Sequence, residues 1–166
     1  MDTVPNPVLA PNSIEVLFRQ EFGRLVRHLA LVDGAEAAAD AVQEAFIAAD
    51  RQWSKVSRMA DPTAWVRRVA LNRLLNSRRN RLRRTEILAA VRPVDEARLD
   101  PLDLDLLRAI RTLPRQQRAV VCLHHLGGHP IAEIATDLGI APGTVKSHLH
   151  DARTALRRAL EVTEDV

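Results

Sequence analysis

Tyrosine is absent from this chain of 166 residues, and the aromatic complement is three phenylalanines and two tryptophans. A core must therefore be aliphatic and rich in alanine and leucine, a composition that favours helices over sheets. No alternating apolar–polar strand pattern occurs, and no internal repeat. Cysteine is represented once, at Cys122. That excludes an intrachain disulfide framework and suits a reducing cytoplasm. No apolar run approaches the roughly 18 residues that would span a bilayer. The opening residues, MDTVPNPVLAP, lack the basic and apolar regions of a signal peptide, so a cytoplasmic location is expected. There is no nucleophile–base constellation, Gly-rich phosphate loop or paired metal-ligand spacing, and the chain is not expected to be an enzyme. Cys122, His124, His125 and His129 invite a zinc reading. However, Cys122 falls on an apolar stripe with Ala119 and Leu126, where a thiol is a small core residue. No second ligand pair stands at zinc-site spacing, so neither metal nor cofactor is expected.

What is present is a 46% hydrophobic composition, enough for a packed core. The net charge is only +3, but it is unevenly spread. Residues 1–50 hold 3 Arg/Lys against 8 Asp/Glu, and residues 51–84 hold 11 against 1. One segment suits a polyanion, and the acidic N-terminal segment suits a different, basic partner.

Helical spacing runs through most of the chain. Three prolines in residues 1–12 suggest a disordered tail. Asn12-Ser13-Ile14-Glu15 makes a capping-box-like start, after which Ile14, Leu17, Phe18, Phe22, Leu25, Val26 and Leu29 keep helical register. Asp33 with Glu36 can cap a second helix striped by Ala39, Val42, Phe46, Ala49 and Trp53. Residues 54–60 read as a loop. Asp61-Pro62 then supplies an N-cap followed by proline at the first helical position, opening a third helix that runs through Trp65, Val69 and Leu75 into an Arg-rich stretch. Five arginines fall within residues 78–84. Such uncompensated like charges suit phosphate contact. Residues 85–108 read as a linker with some helical character, and Leu113-Pro114 opens a further helix that ends near Gly127-Gly128.

The last third carries the most informative pattern. Ile131, Ile134, Ala135 and Leu138 form one short apolar stripe, Gly139 can end it in the left-handed conformation, and Val145, Leu149, Ala152, Leu156 and Leu160 form a second. Two helices joined by a tight Gly-containing turn make a helix-turn-helix. The outer face of the second carries Thr144, Lys146, Ser147, His148 and Arg153. These hydroxyls and cations reach phosphates and base edges in a major groove.

At these residues the chain resembles a known family, the extracytoplasmic-function (ECF, group 4) sigma factors of the sigma-70 family. AADAVQEAF (Ala38–Phe46) resembles the core-polymerase-binding helix of region 2. DPTAWVRRVALNRLLNSRRNR resembles the parts that open and read the −10 element, and Leu113–Arg153 resembles region 4. The resemblance covers nearly all of residues 14–160 and includes no region 3. Pro130 and Ala141-Pro142 stand where Ser is usual at the two helix starts. A lost Ser cap costs about 1 kcal/mol, partly offset by proline at the first helical position. His148 and Asp151 stand where Arg is common.

The resemblance implies an all-α fold of two small helical domains joined by a flexible linker: region 2 over residues 13–84 and region 4 over 109–162. It implies a sigma subunit that directs promoter-specific initiation. Core polymerase would be met by Asp40, Gln43, Glu44 and Phe46, the −10 element by Arg67, Arg68, Asn72, Arg73, Asn76 and Arg79, and the −35 element by Thr144, Lys146, Ser147, His148 and Arg153. The implied partners are core RNA polymerase through its β′ clamp helices and β flap, promoter DNA and an anti-sigma factor. No membrane insertion is implied, and the free protein is expected to be a monomer. A helix-turn-helix regulator that is not a sigma subunit would use the same turn motif, as a dimer on a palindrome.

Overall fold

A computed structural model describes residues 13–77 and 101–164. All regular elements among the described residues are helical. None of these helices is long and apolar enough to cross a membrane. Helix α1 spans Ile14–Asp33. Ser13 caps it, the Oγ accepting the Val16 N–H at 3.3 Å, and Leu25, Leu29 and Val32 form its buried stripe. Helix α2 (Ala35–Arg51) follows Gly34 directly. Asp33 is the last residue of α1, and Gly34 stands at the N-cap position of α2. A short helix α3 (Trp53–Val56) occupies the start of the stretch expected to be a loop, held by Val56, which is fully buried. Helix α4 (Pro62–Asn76) begins as the sequence predicts, with the Asp61 carboxylate accepting the Ala64 N–H at 2.9 Å. The Arg-rich stretch 78–84, with the candidate Arg79, lies outside the described residues.

Helix α5 spans Pro101–Thr112. Residues 101–108, assigned to the linker by their acidic composition, are therefore its first two turns. Ala109, Ile110 and Leu113 anchor its end in the core. Helix α6 (Arg115–Val121) continues into a wider π-type turn, Cys122–Leu126, closed by the Gly127 N–H donating to the Cys122 carbonyl at 3.0 Å. Only glycine fits there, because a Cβ on Gly127 would stand 2.7 Å from the Leu123 carbonyl oxygen. Helix α7 (Ile131–Leu138) ends in a Schellman motif. Gly139 takes φ 66°, and the Ile140 N–H donates to the Ala135 carbonyl at 3.0 Å. The Ala141 carbonyl accepts from Thr144 and Val145 at the start of α8 (Pro142–Glu164), completing the helix-turn-helix.

Helices α1, α2 and α4 pack as one bundle and α5–α8 as another, but the two are not separate bodies. The α6 helix and the π turn lie on α1, and α7 lies on α4. One continuous buried cluster runs from Leu29, Val42 and Leu71 to Val120, Leu123, Ile134 and Val145. One core position and one cap test how this part is held. Leu71→Ala, which empties a fully buried site, should lower unfolding stability by about 2–5 kcal/mol. Asp61→Ala, which removes only a cap, should lower it by about 1 kcal/mol. Urea denaturation followed by circular dichroism measures both, and equal losses would contradict this packing.

Candidate nucleic-acid interface

Helix α8 turns Val145, Leu149 and Ala152 inward and leaves Thr144, Lys146, Ser147 and Arg153 exposed. The apolar stripe thus fixes which side faces out, and four of the five residues expected at the −35 groove share that side. His148 departs from it. It is half-buried, and its Nε2 is enclosed by protein with no hydrogen-bond partner, so that nitrogen points into the fold.

On α4 the expected −10 residues divide. Asn72, Arg73 and Asn76 are exposed. Arg73 donates to Glu44 on α2 at 2.7 Å, with both side chains largely in solvent; such a pair contributes at most about 1 kcal/mol and is readily exchanged. Arg67 is different. It is only 4% exposed. Its Nε donates to Asp137 Oδ2 at 2.7 Å and its Nη2 to Glu133 Oε2 at 3.4 Å, both on α7. Arg68 adds its Nε at 3.5 Å from Asp137 Oδ1. Arg67 therefore faces the helix-turn-helix half of the same chain, not solvent, in this conformation. The Asp137 carboxylate, 2% exposed, sits between two adjacent arginines.

A second set of arginines runs the opposite way, from α6 into the first bundle. Arg115 donates to Asp33 Oδ2 and to the Leu74 carbonyl, each at 2.6 Å. Arg118, also buried, donates to the Val32 carbonyl at 2.7 Å and to the Leu113 carbonyl at 2.9 Å. Val32, Asp33 and Leu74 lie in the last turns of α1 and α4, where carbonyls lack helical partners and the dipole favours cations. Sequence reasoning passed over Arg115, Arg118, Glu133 and Asp137. The available signal was charge at apolar register: Arg67 stands four residues before Leu71, and Asp137 three after Ile134.

On α2, Asp40, Gln43 and Glu44 are exposed together. Phe46 is not a surface contact. It is buried, with its ring centroid 5.0 Å from Phe18 in edge-on packing and 6.4 Å from Phe22. It supports this face from beneath, while Phe18 and Ile47 stay exposed beside Gln43 along a shallow apolar depression. Cys122 is fully buried, and burial pushes its thiol up to about 12 despite the nearby Arg118 charge. It behaves as the core residue its stripe position predicts.

With this geometry in view, the comparisons are specific. A family model described as Sigma-70 region 2 matches residues 18–84, and one described as Sigma-70, region 4 matches residues 103–156. The chain is 34% identical to the ECF RNA polymerase sigma factor SigM of Mycobacterium tuberculosis over 151 residues, 89% of this chain and 77% of that protein. The chain belongs to the ECF sigma factors. It is also 33% identical to SigL of the same organism over 141 residues, 80% of each chain. Among solved structures, the sigma factor RpoE in complex with the anti-sigma factor NepR from Bartonella quintana has the same fold, with a TM-score of 0.69, 22% identity, and coverage of 89% of this chain and 96% of that one.

In this ECF sigma factor three histidines are held below the usual 6.5: His28 and His129, which face each other across the two halves, and His125 on the π turn. Burial lowers His28, helped by Arg24 and His129. Burial lowers His125, helped by His124 and Arg153, and it lowers His129, helped by Arg67 and opposed by Glu133. A histidine with a lowered folded-state value binds its proton more readily once unfolded. Stability is therefore full above about pH 6.5 and falls as pH drops toward the folded-state values. The melting temperature should change little between about pH 7.5 and 6.5 and fall between about 6.5 and 5.5, before carboxylates titrate. A melting temperature that rises over the lower interval would contradict this.

Proposed function

We propose that this sigma factor divides promoter recognition between its two halves at the residues named above. Asp40, Gln43 and Glu44 form the face offered to the polymerase β′ clamp helices, over the apolar depression floored by Phe46. Asn72, Arg73 and Asn76, joined by Arg67 and Arg68 when these are released, read and hold the −10 region, and Thr144, Lys146, Ser147 and Arg153 enter the −35 major groove. The observation that carries the reading is the α8 face: hydroxyls and cations left exposed while Val145, Leu149 and Ala152 of the stripe are buried in the core. Asn suits a base edge because it both donates and accepts, while Arg supplies charge and paired donors. An anti-sigma factor joins the proposed partners because the B. quintana neighbour was solved with one. We assign the chain no catalytic activity of its own and a cytoplasmic location, where its polymerase partner works.

Added to core polymerase with a genomic promoter library, the protein should direct run-off transcription from bipartite promoters. Tight binding of the free chain to a palindrome would support the regulator reading instead. Asn72→Ala should spoil discrimination at one −10 base and slow opening, and a promoter already unpaired there should recover much of the rate. Lys146→Ala and Arg153→Ala should weaken closed-complex formation and lower the salt slope by about one for each phosphate no longer neutralised. Pre-melting should not rescue these two. Equal rescue of both sets, or rescue of neither, would contradict the division of labour.

A further inference from the structure

The −10 arginines and the core-binding face differ in one respect that bears on order of assembly. Asp40, Gln43 and Glu44 are exposed in the closed chain. Arg67 is not, because α7 of the helix-turn-helix half covers it. The covering group resembles what the arginines would otherwise meet. One carboxylate receives the Nε donors of two consecutive arginines, at 2.7 and 3.5 Å, and a second carboxylate, Glu133, stands 3.4 Å from Arg67 Nη2. A phosphate offers the same charge and the same acceptor geometry. We infer that Asp137 is an internal phosphate surrogate: in the free chain it occupies Arg67 and Arg68, so that the chain can meet core polymerase before it can grip −10 DNA.

The energetics favour exchange over simple release. Breaking the pair while the halves stay closed leaves a buried charge uncompensated, which is strongly unfavourable, so Arg67 is released only when the halves part. Replacing the carboxylate by a nucleic-acid phosphate keeps each arginine paired. The arginines of α6 contribute in the same direction, because Arg115 and Arg118 tie the second half to the ends of α1 and α4. The closed state therefore buries Arg67 and engages the half-exposed Arg68, and separation of the halves frees both. The −35 row on α8 stays exposed throughout, so the device acts on −10 binding alone. This inference rests on the assignment of Arg67 and Arg68 to DNA.

The test uses the full chain without polymerase, a fluorescein-labelled single strand of degenerate sequence as probe, and sedimentation velocity as the readout of opening. Asp137→Asn keeps the shape and removes the charge. It should sediment more slowly than the parent and bind the strand at least about tenfold more tightly, with a salt slope steeper by about 0.7 for each arginine freed. Adding Arg67→Gln and Arg68→Gln should abolish the gain. Glu133→Gln, at a half-exposed site, should give a smaller effect in the same direction, and it serves if Asp137→Asn does not fold. In the holoenzyme, Asp137→Asn should leave initiation unchanged, whereas Arg67→Gln should impair it. A variant that stays compact and binds no more tightly overturns the surrogate while the holoenzyme result for Arg67→Gln still supports the DNA assignment. A variant that opens without binding more tightly, together with an Arg67→Gln holoenzyme that initiates normally, overturns the DNA assignment and the surrogate with it.

Discussion

The arrangement of this molecule depends on one buried carboxylate. Asp137 stands on the first helix of the helix-turn-helix, almost wholly excluded from solvent, and is made tolerable there by Arg67 and Arg68 from the other half. Neither partner is stable alone in that setting: each would be a desolvated charge. Their union draws α7 onto α4 and allows the apolar surfaces on either side, Leu71 and Leu74 from one half and Ile134 and Ala135 from the other, to close as one core. The arginines of α6 repeat the principle with helix ends in place of carboxylates. Reciprocal arginine bridges, one set in each direction, are what turn two bundles into one body.

This has a consequence for how function and stability share residues. Arginine is suited to both tasks because its planar fork pairs with a carboxylate or a phosphate by the same geometry. In α4, Asn72, Arg73 and Asn76 face outward, on the side proposed to read DNA, whereas Arg67 faces inward and is paired with Asp137. The exposed Arg73–Glu44 pair links α4 to α2, and because it is solvated it yields to a competing partner at little cost.

Much of this was legible in the sequence. The Ser13 and Asp61 caps, the proline opening α4, the Gly139 turn and the outward row on α8 follow from local rules, and local rules hold where a helix end or a turn satisfies its own hydrogen bonds. The misreadings share a cause in tertiary contact. Asp33 looked like a purely local cap, and Arg115 reaches it from a distant helix. Residues 101–108 looked like linker because of their acidic groups, yet the helix they begin is anchored by Ile110 and Leu113. Phe46 lay on the apolar stripe of α2, and its burial against Phe18 and Phe22 agrees with that spacing better than with a surface role. Arg67 and Asp137 were charges at apolar register, and a pair of such charges in two helices is the sign of a buried bridge that no single-helix reading resolves.

Arg67 and Asp137 act as a unit that holds the two halves together. A double-mutant cycle built from Arg67→Gln, Asp137→Asn and the combined variant, read as unfolding free energies of the full chain in urea, measures that coupling directly. The coupling energy should be about 1–3 kcal/mol, with the double variant less unstable than the sum of the singles. Additive losses, with coupling within about 0.5 kcal/mol of zero, would contradict it.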